Sequence, residues 1–543
     1  MTLFRGGRVH TASDPDATAL AVTDGVISWI GGEHALAVAG RPDRVIDLDT
    51  ALVVPGFVDA HVHSTDAGLA LTGLDLSPAT SLPDCLRRIA DAAAALGPGE
   101  LVWGHGWEET RWPENRPPTR TEIDDAVGDR PTYLSRVDVH SALVSTALVT
   151  AAAAAGPLPE DLHPQLPQTR AAHHVVRNAA KAMLTPQRRS AAQSAFLSAA
   201  AAVGIVEVHE CAAGDGPGRA DLRALLDLAA PVRVLGYLAA AVSDPEQARE
   251  LLAQTGAVAL AGDLSVDGAI GSRTASLRHP YADAATSGTR YLSDDDIADH
   301  LWACAVAGVQ PGFHAIGDDG VSAVAAGLRR ATQRLGENGT VRMAGCVPRI
   351  EHAEMADAEA IAAFAATGTV ACVQPLFDEA WGGPDGMYAR RLGRERAVPM
   401  NPLAALALAG VGLALSSDAP VTPAAPWRAV QAAVHHRTPG SGLSPRSAFT
   451  AHTRGGHRAA GRTDRGVGTL TVGAPAHLAF YDAGELVRPQ ANEKVARWST
   501  DPRSRLPLLP DLTPGVDLPT PLGTMADGRV TFDSGLLSAL SAG

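Results

Sequence analysis

Two histidines separated by one residue end an apolar stretch early in the chain, and they constrain the fold more than any other feature. The stretch runs from Val53 to His63 and reads VVPGFVDAHVH. In a β-strand, side chains two residues apart point to the same face, so His61 and His63 present two imidazoles together. These nitrogens can bind one metal ion, but a cation such as zinc needs three or four ligands. Further ligands must come from later parts of the chain.

After this stretch, apolar strand-like runs alternate with alanine-rich helical runs. The alternation is typical of βα units around a parallel sheet. Eight such strands predict a closed α/β barrel, whose chemistry lies at the carboxyl ends of the strands. The predicted strands are Phe57 to His61, Gly204 to His209, Val232 to Leu238, Ala259 to Val266, Val309 to Ala315, Arg349 to His352, Thr369 to Gln374 and Gly412 to Ser417.

Both ends of the chain carry short alternating stretches separated by turn residues such as Asp24-Gly25, which indicates hairpins. The simplest arrangement is one composite β-sandwich of residues 1–54 and 463–543, with the barrel at 55–462. The gap between the first two predicted strands is too long for one crossover. It predicts an inserted subdomain at about 65–200.

The composition excludes several kinds of partner. Lys and Arg total 45 against 59 for Asp and Glu, giving a net charge of −14 without any Lys/Arg-rich run. Nucleic acid is therefore not an expected partner. The sequence contains neither an apolar signal core nor a run of about 18 apolar residues, so no membrane association is expected. Five widely spaced cysteines without a C-x-x-C pair indicate free thiols in a reducing cytoplasm.

Three later predicted strands end on further metal-binding side chains. His314 lies near the end of the fifth predicted strand, His352 ends the sixth and Asp418 follows the eighth. Asp418 could bind the metal, accept a proton from metal-bound water, or do both in turn. Water activated in this way attacks a carbonyl or imine carbon, and Asp418 could then carry the proton to a leaving nitrogen. The pattern predicts hydrolysis of a C–N bond.

These motifs follow one another in the order of a known family. They are PGFVDAHVH at 55–63, GHGW at 104–107, HSA at 140–142, DGAIGSRTA at 267–275, FHAIGD at 313–318, RIEHAE at 349–354, QP at 374–375 and SSDAPV at 416–421. The chain resembles the amidohydrolase superfamily, in particular its branch of YtcJ-like and N-substituted formamide deformylase-like proteins. The resemblance implies a distorted (β/α)8 barrel with a composite β-sandwich and one or two divalent metals, most simply Zn²⁺. The implied metal ligands are His61, His63, His314, His352 and Asp418.

One position departs from the family pattern. Many relatives have a lysine four residues before the DG of the DGAIGSRTA motif, and in binuclear relatives its carboxylated form can bridge two metals. Here that residue is Asp263, which cannot form the carbamate. A mononuclear site, a bridge from Asp263 and a bridge from Glu210 are the alternatives, and a mononuclear site or a weak second site is favoured. His209 is either close to the metal or a hydrogen-bonding support for a ligand.

Other motif residues predict the substrate pocket. Aromatic residues are scarce in this chain, and Trp107 and Trp112 lie close to His105 in the insertion, where they would supply apolar pocket walls. Arg273 either clamps a substrate oxygen or pairs with Asp267. His140 either contacts the substrate or fixes a loop. The predicted pocket residues are Trp107, His140, Asp267, Arg273 and Gln374.

The leading hypothesis is a metal-dependent hydrolase that cleaves an amide, formamide or related non-peptide C–N bond of a small organic molecule. A deaminase and an ester or lactone hydrolase are alternatives, because activated water attacks those centres by the same route. A catalytically silent barrel that binds a small molecule is a third class, although no expected ligand is missing. Relatives often form dimers, so a homodimer is one expected assembly.

Overall fold

The central feature of the structure, a computed structural model, is an eight-stranded parallel sheet. The described residues are 1–97, 99–464, 466–487 and 507–538, so the predicted C-terminal β-region falls partly outside them. The strands of the sheet, labelled β1 to β8 in chain order, are Phe57–Val62, Ile205–Ala213, Arg233–Ala239, Ala259–Leu260, Gln310–Ala315, Arg349–His352, Val370–Val373 and Gly412–Leu415.

The sheet closes on itself at β1 and β8. All seven pairs of neighbouring strands are parallel. Beyond the last strand, the backbone N–H of Asp418 donates to the carbonyl of His61, and the N–H of His63 donates to the carbonyl of Ala419, both at 2.9 Å. This confirms the predicted barrel.

The fourth strand is much shorter than the predicted Ala259 to Val266. It ends at Leu260, because Gly262 adopts a left-handed conformation with φ of 70° that favours glycine. A Cβ at Gly262 would also lie 2.9 Å from the Sγ of Cys211. The strand is therefore interrupted before Asp263, which lies at the mouth of the barrel, and pairing with β5 resumes in a parallel bridge between Ser265 and His314.

Helices cover the outside of the barrel, and several begin at side-chain caps. Before Asp294–Ala307, Ser293 accepts a hydrogen bond from the N–H of Asp296, whose side chain accepts one from Ser293 in return. The helices from β1 onward, outside the insertion, are Ser64–Thr72, Pro186–Ala202, Gly216–Leu226, Pro245–Thr255, Asp294–Ala307, Asp318–Arg334, Gly339–Gly345, Ala358–Ala366, Pro375–Trp381, Met387–Leu392, Arg394–Ala397, Leu403–Leu408, Pro426–Val434, Pro445–His452 and Arg454–Ala459.

The long segment between β1 and β2 contains a second sheet of five strands. In spatial order these are Gln168–Thr169, Ser141–Val144, Thr132–Arg136, Val102–Trp107 and Leu74–Asp75. The helices of this insertion are Leu82–Ala94, Arg120–Val127, Thr146–Ala155 and Arg170–Ala182, with a 3₁₀ turn at Glu109–Arg111. The side chains of Trp107 and Trp112 are buried in its apolar core beside Ile89 and Ile123.

Strands from both ends of the chain pack together as two sheets. One sheet contains Val26–Gly31, Ala19–Thr23, Thr2–Arg5 and Arg44–Asp47. The other contains Arg8–Val9, Leu52–Pro55, Leu478–Asp482, Thr520–Ala526 and Arg529–Asp533. The rings of Phe4 and Phe480 lie 5.4 Å apart in the shared core, so the two termini form the composite β-sandwich. Shorter elements are Glu33–Ala35, Leu36–Ala39 and the pair Leu486–Val487 with Leu509–Pro510.

The five cysteines are free thiols, and four of them are buried. Burial raises the pKa of the Cys85 thiol to about 12, which leaves it protonated and unreactive at neutral pH. Within the described ranges, none of the helices has the length and apolar character needed to cross a membrane.

Candidate metal centre

The predicted metal ligands meet at the carboxyl end of the barrel. His61 lies in β1, His63 directly follows it and His314 lies in β5. His352 is the last residue of β6, and Asp418 comes three residues after β8. Asp263, three residues after the end of β4, lies among them. The structure thus brings together residues more than three hundred positions apart in sequence.

Two carboxylates, those of Asp263 and Asp418, lie at the centre of this cluster. Nε2 of His63 lies 3.1 Å from Oδ2 of Asp263 and 3.2 Å from Oδ1 of Asp418. Nε2 of His61 lies 3.3 Å and 3.4 Å from Oδ1 of the same two residues. Oδ1 of Asp263 is also 3.4 Å from Nδ1 of His314, whose ring centroid is 4.4 Å from that of His352. Asp263 therefore contacts histidines from both sides of the barrel mouth.

Hydrogen bonds on the outer side of three imidazoles fix which nitrogen faces the cluster. Nδ1 of His61 is 3.0 Å from Oε2 of Glu351, and Nδ1 of His352 is 2.8 Å from Oε1 of Gln374. Nε2 of His314 is 3.3 Å from the carbonyl of Gly268. Since each of these partners accepts a hydrogen bond from the imidazole N–H, the opposite nitrogen is left with a lone pair directed at the cluster.

Two of the converging residues have unusual backbone conformations. His352 and Asp418 have φ angles of 71° and 54°, in the left-handed region that non-glycine residues seldom adopt. Strand alternation would send Glu351 and His352 to opposite faces, whereas both side chains reach His61 or its neighbours. The strained turn at the end of β6 thus serves to aim His352 inward, as strained backbone often does at functional sites.

The donor atoms of the cluster fit a divalent cation. Nε2 of His61, Oδ1 of Asp263, Nδ1 of His314 and Oδ1 of Asp418 are all buried, and none has a hydrogen-bond partner in the described structure. Buried polar atoms without hydrogen-bond partners are costly, so the convergence of these four atoms fits the binding of a cation. Imidazole nitrogens with carboxylate oxygens are donors for Zn²⁺ and for other divalent transition metals.

The charges of the cluster also favour a cation. Burial opposes protonation of His63, but the carboxylates of Asp263 and Asp418 raise its pKa to about 10. Burial, aided by the charge of His314, lowers the pKa of His352 to about 3. Two ionised carboxylates in a buried site need compensating positive charge, which a divalent cation supplies without protonating the imidazoles.

His209 and Glu210 lie outside this cluster. Nε2 of His209 is 3.2 Å from Oε1 of Glu207, and its Nδ1 accepts from the guanidinium of Arg349 at 3.0 Å. Glu210 turns to the other face of β2, where Oε2 accepts from the N–H of Ser64 at 2.8 Å. His209 is therefore a distant hydrogen-bonding support, and the bridge considered for Glu210 is not the arrangement observed.

Arg273 and Asp267, which the sequence predicts as pocket residues, have structural partners. The guanidinium of Arg273 pairs with Asp283, at 2.8 Å and 3.0 Å, and not with Asp267. Asp267 is fully buried and accepts from the N–H groups of Ser276, Ile316 and Gly317. These hydrogen bonds connect the loop after β4 with the turn after β5.

The other predicted pocket residues have different positions. Trp107 fills the core of the insertion and donates its indole N–H to the carbonyl of Leu134 at 2.9 Å, so the prediction that it lines the pocket is corrected. His140 lines a cavity beside the cluster, with its ring 5.1 Å from that of His314. Gln374 holds His352 and also donates to Ser416 at 3.0 Å, so it positions a ligand.

Sequence reasoning missed Glu351 and the guanidinium that holds it. Arg349 donates from Nε to Oε1 of Glu351 at 2.9 Å and from Nη2 to Oε2 at 3.0 Å. All of these groups are buried. Arg and Glu two residues apart on a strand share a face, so the spacing of Arg349 and Glu351 could have predicted their ion pair from sequence. Its partner His61 is 290 residues away in sequence, which no local pattern reveals.

We predict that Gln374→Leu weakens metal binding about 10- to 100-fold. The substitution removes the acceptor that orients the His352 ring while filling a similar volume. The dissociation constant would be measured by competition with a chromophoric chelator. Gln374→Glu, which retains an acceptor, serves as the matched control with near-natural affinity. An unchanged constant for Gln374→Leu would contradict the assigned positioning role.

A closed parallel barrel with histidines and aspartates converging at its strand ends defines the class of metal-dependent barrel hydrolases. The chain belongs to the amidohydrolase family, since the model of that family matches residues 44–532.

Individual relatives agree with this membership. The putative amidohydrolase YtcJ of Bacillus subtilis is 26% identical over 464 residues, which covers 80% of this chain and 83% of the relative. The N-substituted formamide deformylase of Arthrobacter pascens is 32% identical over 143 residues, 26% of each chain. Among solved structures, an uncharacterized metal-dependent hydrolase from Pyrococcus furiosus has the same fold, with a TM-score of 0.66, 24% identity and coverage of 88% of this chain and 98% of that one.

Proposed function

We propose that this hydrolase cleaves an amide, formamide or related C–N bond of a small organic molecule. The observation that carries the proposal is the convergence of unpartnered histidine and aspartate atoms at the barrel mouth. A divalent cation, most simply Zn²⁺, would lower the pKa of a water molecule and polarise the substrate carbonyl. The similarity to N-substituted formamide deformylase supports the choice of a C–N bond.

Asp418 is the proposed proton carrier. Burial raises the pKa of this carboxyl, but the charge of His61 and the hydrogen bond with His63 lower the pKa by more. The pKa of Asp418 therefore lies below its usual value. Asp418 is therefore ionised at neutral pH and can accept the proton of the attacking water at Oδ1. Delivery of that proton to the leaving nitrogen completes cleavage of the C–N bond.

Asp263 is the proposed link between two cations. It belongs to two triads of potential ligands, one with His61 and His63 and the other with His314 and His352. A carboxylate shared in this way can take the place of the carbamate bridge that the sequence excludes. The contacts of Asp263 on both sides favour two cations over the mononuclear site preferred from sequence.

The proposal is tested with metal-reconstituted protein on a panel of formamides, acyl amides, cyclic imides and aryl esters. We expect turnover of the amide-type compounds, followed by release of carboxylate and amine, and loss of that turnover on chelation. Turnover confined to esters or lactones, or ammonia release from amino-substituted rings, would favour the alternative reactions. A fully metallated protein that binds but converts none of these compounds would overturn the proposal.

We infer a cytoplasmic location from the free, mostly buried thiols, which a reducing compartment preserves. A homodimer stays a prediction of the family resemblance. Ultracentrifugation of the purified protein would decide its assembly state.

A further inference from the structure

A small cavity beside the metal centre has a continuous aromatic wall. It is lined by His352 and Asp418 at one end and by residues of the segments after β7. The ring of Phe377 lies parallel to that of His352 with centroids 6.0 Å apart, and Trp381 follows at 5.0 Å from Phe377. Tyr388 continues the row at 6.2 Å from Trp381. The cavity has a volume of about 20 Å³, which is room for one ammonium-sized group. Such a group would contact both His352 and the aromatic side chains.

Three acidic side chains line the same cavity: Asp418 of the metal cluster, Asp138, which pairs with Arg136, and Glu354. Glu354 is the one without an arginine and outside the cluster. It is 2% exposed, and its Oε2 has no hydrogen-bond partner in the described structure. Burial raises the pKa of this carboxyl to about 7, and the hydrogen bond with Tyr388 opposes that rise only in part, since the tyrosine hydroxyl carries no positive charge. A buried carboxylate without a cation or a set of N–H donors is energetically costly.

Other buried carboxylates of the described chain show what Glu354 lacks. Outside the metal cluster, each of them has an arginine or a backbone N–H as partner. The pairs are Asp59 with Ser417 N, Asp66 with Arg177, Glu108 with Arg111, Glu109 with Arg136, Asp138 with Arg136, Glu207 with Arg462, Glu210 with Ser64 N, Asp267 with Gly317 N, Glu351 with Arg349 and Asp378 with Arg437 N. Glu354 has no comparable partner, which points to a ligand that supplies one.

We propose that this cavity binds a protonated amine of the substrate, held by the carboxylate of Glu354 and the faces of Phe377, Trp381 and Tyr388. Ammonium groups are attracted both by carboxylates and by aromatic faces, and a site that offers both in a buried setting selects cations over neutral groups. Because His352 and Asp418 line the same cavity, the amine would belong to the molecule that is hydrolysed. This inference rests on the proposed function, since it names the substrate class of that site.

The test compares two small probes that differ in charge. Benzylamine, which is protonated at pH 7.5, and benzyl alcohol are titrated calorimetrically into the metal-loaded protein. We expect benzylammonium to bind about 10-fold or more tightly than the alcohol. In Glu354→Gln, benzylammonium should lose about 10-fold or more in affinity while the alcohol changes less than about threefold. Glu359→Gln, which alters an exposed carboxylate paired with Arg329, is the matched control and should leave both affinities unchanged.

Equal affinity of the natural protein for the two probes overturns the proposal, and that comparison holds even if Glu354→Gln does not fold. A preference that survives in folded Glu354→Gln also overturns it, because the amine would then be held by the metal or by another group. Glu354→Asp retains the charge and should retain part of the preference. These measurements need no turnover, so a protein that hydrolyses none of the panel compounds would refute the proposed function without changing this result.

Discussion

Metal-saturated Asp263→Asn is expected to hold one divalent cation per chain, whereas two are expected in the natural protein. Asp263 contacts both His63 on the β1 side, at 3.1 Å, and His314 on the β5 side, at 3.4 Å. An amide of the same shape presents one weak oxygen donor and no charge, so it cannot compensate two cations in a buried site. The stoichiometry would be measured by elemental analysis after equilibration with excess Zn²⁺ and gel filtration.

Glu210→Gln is the matched control for this experiment, because Glu210 was the other candidate bridge. Its carboxylate accepts from the N–H of Ser64, which a glutamine can still satisfy, so two cations should remain. Two cations in Asp263→Asn would contradict the bridging role. A single cation in the natural protein would instead support the mononuclear site that the sequence favoured.

The parts of the site that follow strand alternation were accessible from sequence. His61 and His63 share a face because they are two residues apart, and His314 and His352 end strands of a barrel whose order the apolar runs predict. The broken fourth strand was not predicted, because an apolar run cannot tell where a glycine will adopt positive φ. That break at Gly262 decides where Asp263 lies.

Partnerships between distant residues were the part that sequence could not supply. Trp107 lies in a strand covered on both faces, so its apolar character did not tell whether it faced the pocket or the insertion core. Arg273 pairs with Asp283 within an irregular loop. Because the loop has no helical or strand periodicity, the sequence does not indicate that these two side chains meet. Glu354 is recognisable as unusual only once it is known that its Oε2 has no hydrogen-bond partner in the described structure.

Asp418→Asn is expected to lower kcat by about 10²- to 10⁴-fold on whichever panel compound the natural protein converts best. The asparagine side chain keeps the shape of the aspartate but has no lone pair basic enough to accept the proton of the attacking water. Because Asp418 also lies against His61 and His63, metal content must be measured on the same sample and kcat expressed per fully metallated chain. Asp357→Asn, at a carboxylate paired with Arg278 away from the cluster, is the control and should leave kcat unchanged.

The division of the effect between kcat and KM separates proton transfer from substrate binding. If Asp418 acts after the substrate is bound, KM should change little while kcat falls. A raised KM with kcat intact would assign Asp418 to binding, and a fully metallated variant with more than about a tenth of the natural kcat would exclude it as the proton carrier. Comparison with Glu354→Gln sharpens the distinction, because loss of the amine contact should raise KM for cationic substrates and leave the proton path through Asp418 in place.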